Sequence, residues 1–432
     1  MRFSLPTKAL LAAIAAVVLL TVGVWARNTT NPPSDVRLAA AFQLGGNVDW
    51  RQWDSFLTTI TKRFGQDLGG DLRDNLVDIF LDARHDLLQA LSPSQAGAPN
   101  LVPTLFLNTM SRFSPLLRQA VPDLPRATAN NYSNFASAVD GLVALGQIGF
   151  QLGFTNLSPD ALRGLARMVE PSAAVDPLAY TVDLDPALRT LLGFGAPLPS
   201  PKPNPAVEES RVYPPWHPFG GSGSIHSQSW FVRTASAAGP DNDDISQWTV
   251  PDSQKLQPYL VRIRDLLIEL GDEVLAKSPL AEEYRPLYRN IVLTAAWQES
   301  CWRQFIKKGE KLAALSSVTG DLGLMQINRN VWRGVYDIKG LTGDIEYNGR
   351  AGGEILYHYL TRYAIRKGED KKPEGHLARA TYAAYNGGPG ALTRYRAAKR
   401  NPALKKVDDA FWEKFQAVDS GREMEVARCY GG

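Results

Sequence analysis

The run Pro197-Leu198-Pro199-Ser200-Pro201-Lys202-Pro203-Asn204-Pro205 constrains this chain more than any other stretch. Proline at nearly every second position fixes φ and removes backbone donors, so no helix or interior strand can pass through it. The run reads as a semi-rigid, extended spacer. Loop character continues through Tyr213-Pro214-Pro215-Trp216-His217-Pro218-Phe219-Gly220-Gly221 and the Ser/Gly stretch after it. The aromatics Trp216, Phe219, Trp230 and Phe231 either pack this segment onto a neighbouring domain or line a sugar groove. On both sides of it apolar residues recur at three- and four-residue spacing, the pattern of amphipathic helices. Strand signals are scarce. The expected fold class is mainly α: a helical N-terminal domain, a Pro-rich linker and a helical C-terminal domain.

A chain of 432 residues is long for one domain. The expected division is 1–34 as an N-terminal export segment, 35–195 as a helical accessory domain, 196–250 as the linker and 251–432 as the C-terminal domain. The export segment rests on Arg2 and Lys8, followed by the uncharged run 9–26 and then Arg27 and Pro32-Pro33. It is either a signal peptide cut after Val24-Trp25-Ala26 or an anchor retained in the inner membrane. Both readings place the body of the protein in the periplasm or cell envelope.

In the N-terminal domain the clearest helix runs through Leu72, Leu76, Ile79, Phe80, Ala83, Leu87, Leu88 and Leu91. His85 falls off that stripe and reads as a polar-face residue. Further helices run through Phe135, Val139 and Leu142, and after Ser158-Pro159, an N-cap and first-turn pair. No phosphate-binding Gly loop and no cluster of catalytic residue types occurs here. The domain reads as an accessory or docking module, a place for an envelope protein partner.

Beyond the linker, Leu256, Leu260, Ile263, Leu267 and Leu270 share a helix face. A second helix runs through Leu287, Ile291 and Thr294 and places Glu299 near its C-terminus. An irregular stretch of roughly twenty residues then reaches Leu322, and long loops inside compact domains are often functional. The C-terminal part is mildly basic, with 29 Lys and Arg against 23 Asp and Glu from residue 250 onward. That balance suits an anionic polymer or a plain solvated surface. The two cysteines, Cys301 and Cys429, either form one disulfide or stay as independent buried thiols. With no Cys-x-x-Cys or Cys/His cluster, zinc and iron–sulfur chemistry is excluded.

The candidate acid is Glu299, in Trp297-Gln298-Glu299-Ser300-Cys301-Trp302. Apolar and aromatic neighbours oppose ionisation, and so does the negative end of a helix dipole. Both push a carboxyl toward the pKa a general acid needs. Two further motifs follow: Gly323-Leu324-Met325-Gln326-Ile327-Asn328 and Ala384-Tyr385-Asn386-Gly387-Gly388-Pro389-Gly390. The first puts a glycine where backbones approach closely, beside a flexible Met and an amide. The second puts a phenol and an amide before a Gly/Pro turn.

The three motifs in this order resemble the signatures of the lytic transglycosylases with the soluble-lytic-transglycosylase (SLT) domain, over roughly residues 255 to 400. The resemblance implies a lysozyme-like α-helical catalytic domain and peptidoglycan glycan strands as substrate. Neither nucleic acid, metal nor organic cofactor is implied. Glu299 corresponds to the single catalytic acid and base. Ser300, Met325, Gln326, Tyr385 and Asn386 correspond to residues that line the substrate cleft, with the Tyr385 hydroxyl in reach of the acid. The implied reaction breaks the MurNAc-β-1,4-GlcNAc bond and closes a 1,6-anhydromuramyl ring. One departure is Asp321, two residues before the motif glycine, where many relatives carry a small residue. It either braces a turn or serves as the base of a water-using muramidase, whose two carboxyls stand about 6.5–9.5 Å apart.

Overall fold

A computed structural model describes residues 48–91, 101–152, 157–171, 174–202, 208–211, 249–250, 255–308 and 311–430. The export segment and the four linker aromatics lie outside these residues. Among the described residues no helix is long and apolar enough to cross a membrane.

The chain is mainly α, as its periodicity implies. It divides into two compact units, but not at the linker. One unit comprises residues 1–72 and 99–180, and the other 73–98 and 181–432. The first unit is built from α1 (Trp50–Asp67), α3 (Leu101–Ala120), α4 (Arg126–Leu152) and α5 (Pro159–Val169). Asp49 opens α1 with a capping box to Gln52, and Ser158 caps α5 through the Ala161 amide. Such caps satisfy amides that have no partner within the helix. The core is aromatic: Phe64 stands edge-on to Tyr132 and Phe135 at 4.8 and 5.2 Å between centroids.

α2 (Gly70–Ala90) begins in the first unit and enters the second at Arg73. The second unit then continues from Thr181 through α6 (Pro186–Leu191). The fully buried Arg189 on α6 pairs with Glu354 at 2.7 Å and donates to the carbonyls of Gly195, Ala196 and Val335. The end of the expected accessory domain and the start of the expected linker are thus fastened to the second unit. Lys202 also donates its amide to Asp344, and residues 208–211 form strand β1 (Glu208–Arg211).

The frame of this unit is α7 (Leu256–Lys277), α8 (Arg285–Ser300), α9 (Ile338–Gly343), α10 (Ile345–His358), α11 (His376–Gly387) and α12 (Pro402–Asp419). A π-helical stretch, Tyr359–Ile365, extends α10. α8 is the hub, packed against α7, α10, α11 and α12. Every residue from Ile291 to Ser300 is buried. Helices on several sides explain the apolar runs Ile291-Val292-Leu293 and Ala295-Ala296-Trp297 within that stretch.

The irregular stretch after α8 is a small sheet. It comprises β2 (Phe305–Lys308), β3 (Lys311–Ser316), β4 (Asp321–Leu322) and β5 (Ile327–Asn328). β3 pairs antiparallel with β2 and β4 and parallel with β1, and β4 pairs antiparallel with β5. Strands of two to six residues show little alternation, so the sequence read as a loop.

Candidate active site

α8 ends abruptly and under constraint. Cys301 and Trp302 both take left-handed backbone, with φ of 54° and 62°. Their amides close onto the carbonyls of Trp297 and Ala296 at 3.0 and 3.3 Å. Left-handed backbone at a residue other than glycine costs on the order of 1–3 kcal/mol and persists only where the surroundings hold it. Here the hold is dense. The sulfurs of Cys301 and Cys429 are bonded. The fully buried Trp302 donates its indole N–H to Leu293 and accepts the Tyr259 hydroxyl at its carbonyl. The Tyr430 hydroxyl donates to the Cys301 carbonyl. The result fixes the last turn of α8, where Glu299 sits.

Glu299 is 4 % exposed and accepts a 2.8 Å hydrogen bond at Oε1 from the Tyr382 hydroxyl. Tyr382 is held by face-to-face stacking on Phe411 of α12, at 4.0 Å and 2°. Burial, and then the charge of Glu299, raise the Tyr382 pKa well above the ordinary phenol range, so this phenol stays a donor. The family resemblance implies that contact for Tyr385. The Tyr385 hydroxyl instead donates to the Met325 carbonyl at 2.6 Å, tying α11 to the Gly-Leu-Met-Gln turn. The two tyrosines lie three residues apart on one helix face, and tertiary packing decides which reaches the acid.

The turn itself is set by two buried amides that lie outside the three motifs. Gln304 accepts from the Leu324 amide and donates to the carbonyls of Leu341 and Thr342. Asn348 accepts from the Met325 amide and donates to Leu322 and Leu341. Both amides press on Gly323, whose φ is 68°. A side-chain carbon there would lie 2.2 Å from Gln304 and 2.6 Å from Asn348. Gly323→Ala is therefore expected to destabilise the catalytic unit by about 2–4 kcal/mol, through overpacking combined with a left-handed φ. Thermal unfolding of the variant measures it, and an unchanged midpoint would show that the turn can relax.

Glu299, Gln326, Tyr385 and Asn386 line one cavity, together with His85, Leu88, Asp321, Ile327, Asn328 and Trp332. Gln326 donates to the Gly323 carbonyl at 2.7 Å, while its buried Oε1 has no partner. Arg394, anchored on Asp408, donates to Asn386 Oδ1 at 3.1 Å and orients that amide. Two residues assigned to substrate contact do not line the cavity. Ser300 is fully buried, donates to the carbonyls of Ala296 and Leu324, and accepts from the Arg303 amide. It clamps the acid-bearing helix to the motif turn. Met325 is also fully buried, its side chain pressed on Gly352 of α10. Both residues shape the site without facing it.

Asp321 is buried and accepts from side chains of its own turn. Ser317 and Thr319 donate to Oδ2 and Asn328 to Oδ1, so the carboxylate knits the turn between β3 and β5. Two more residues were missed. Lys414 donates to Gln298 at 2.8 Å, and burial lowers its pKa to about 8 although Glu413 and Glu299 oppose the shift. His85 is not a polar-face residue; it is 5 % exposed and lines the cavity. Burial lowers its pKa to about 4 despite Asp82 and Asp321 nearby, which keeps the ring neutral at pH 7. Among the described residues no group of three or more His, Cys, Asp and Glu side chains is placed to hold a metal ion.

Helices packed around a central helix that ends in a buried acid, with a small sheet beside it, make this a lysozyme-like helical domain. Residues 281–407 match the family model described as Transglycosylase SLT domain. The matched stretch holds Glu299 and the two later motifs, and it implies peptidoglycan as the substrate. It leaves out His85, Phe411, Lys414 and Cys429. No match was found among the curated proteins or the solved structures.

Proposed function

We propose that this protein is a lytic transglycosylase that cleaves the MurNAc-β-1,4-GlcNAc bond of peptidoglycan, leaves 1,6-anhydromuramyl ends and remodels the cell wall. The observation that carries this reading is the different employment of two carboxyls in one cavity. Both oxygens of Asp321 are engaged by side chains of its own turn. Glu299 sits at a helix end beside a phenol donor, in the domain whose family description is a transglycosylase.

In the proposed reaction protonated Glu299 donates to the glycosidic oxygen as the C1–O bond breaks. The muramyl 2-acetamido oxygen shields the oxocarbenium-like C1, as in substrate-assisted glycosidases. Glu299, now a carboxylate, takes the proton of the muramyl 6-hydroxyl as O6 bonds to C1. No water is consumed and Glu299 ends protonated, ready for another turn. One carboxyl serves twice because the nucleophile belongs to the sugar already bound, so its attack loses little translational entropy. Tyr382 aims the carboxyl throughout. The export segment at 1–34 fits such work at the periplasmic face of the envelope.

A second reading is a muramidase in which Asp321 activates water, favoured by its place in the same cavity as Glu299. Asp321→Asn separates the two. As a turn brace, Asp321 loses part of its hydrogen bonding on substitution, about 1–3 kcal/mol of stability, with activity kept within roughly tenfold. As a base, its loss costs the full ~10²–10⁴ of general base catalysis. Release of soluble muropeptides from purified sacculi, with thermal unfolding in parallel, reads both.

A further inference from the structure

The cavity around Glu299 holds only about 30 Å³ of free space. That admits a water or two, whereas ligand pockets run about 300–1,000 Å³. No sugar ring enters this site as it stands. Part of its lining belongs to α2, outside the matched domain. His85 and Leu88 line the cavity together with the motif residues, and the His85 ring lies against Gly388, where an added side-chain carbon would meet it at 2.7 Å.

Polar contacts at three points fasten α2 there. Asp82 Oδ1 accepts from the Gly390 amide at 2.8 Å. Arg84 donates to the carbonyls of Val331 and Arg333 at 2.9 and 2.8 Å. Asp74 pairs with Arg362 and Arg366 at the π-helical stretch after α10. His85 Nε2 and Gln326 Oε1 are both buried without a protein partner, and both side chains line this cavity. On withdrawal of the helix, Gln326 Oε1 is left to accept from a glycan hydroxyl or amide.

Resting on the lytic transglycosylase reading, we propose that residues 73–90 of α2 are an autoinhibitory plug: His85 and Leu88 fill the glycan cleft, and the Asp74, Asp82 and Arg84 contacts hold them until the strand is admitted. The test reads opening apart from chemistry. Glu299→Cys places the only free thiol of the chain in the cavity, because Cys301 and Cys429 are bonded to each other. Its labelling by N-ethylmaleimide is expected to be slow in the otherwise native chain. With Asp74→Ala and Asp82→Ala added, labelling should speed about tenfold or more, as charge-assisted contacts that bias a two-state element are lost. Equal labelling rates would overturn the plug. If Glu299→Cys does not fold, hydrogen exchange over 73–90 in Asp74→Ala/Asp82→Ala replaces it; faster exchange than in the native chain supports the plug and unchanged exchange overturns it. Fast labelling from a chain that, with Glu299 restored, releases no muropeptide from sacculi would leave the plug standing and refute the proposed activity instead.

Discussion

Glu299→Gln is expected to lower muropeptide release by about 10³-fold or more, near the upper range for general acid–base groups, because one carboxyl performs both proton transfers. The fold should survive. The Gln amide oxygen can still accept the Tyr382 hydroxyl, whose ring is fixed on Phe411 rather than by the acid. Gln also matches the protonated acid in size and leaves no cavity. Thermal unfolding of the variant should therefore match that of the native chain. Loss of activity together with loss of folding would mean that Glu299 is structural. Retained activity would move the acid elsewhere.

The second large effect falls on the disulfide. Cys301 and Cys429 are 128 residues apart, and the loop between them encloses both later motifs and most of the catalytic helices. On chain-entropy grounds such a closure stabilises by about 4–5 kcal/mol. Replacing both cysteines with serine is expected to lower the unfolding midpoint of the catalytic unit by on the order of 10 °C. Activity should fall even below that midpoint. Cys301 and Trp302 hold left-handed backbone directly after the acid-bearing turn, and the tail that carries Cys429 also brings Tyr430 to the Cys301 carbonyl. A double variant with native midpoint and native rate would show that the other contacts of Trp302 suffice.

Much of this was legible in the chain. Apolar spacing located α2, α7 and α8, and Ser158-Pro159 marked the start of α5. The three motifs located four of the residues around the cavity, Glu299, Gln326, Tyr385 and Asn386. What failed to show has physical causes. Ser300 and Met325 are short-range neighbours of the chemistry, but their side chains point into packing, which a linear motif does not encode. Tyr382 reaches Glu299 because Phe411, from a helix later in the chain, sets its ring. His85 was placed on a polar face because Leu76, Ile79, Phe80, Ala83 and Leu87 form one clear stripe. Val77, Leu81, Arg84 and His85 form a second buried row that meets the first at Leu88, and that row was the available signal. The sheet was hidden by strands too short to alternate, and the fastening of residues 181–202 by Arg189, a charge whose partners lie far along the chain.

The most direct measurement is mass spectrometry of sacculi digested in ¹⁸O-labelled water. A lytic transglycosylase yields muropeptides lighter by one water than their hydrolysed counterparts, with anhydromuramyl ends that carry no ¹⁸O and resist borohydride reduction. Reducing muramic ends bearing one ¹⁸O would contradict it and assign the site to a hydrolase.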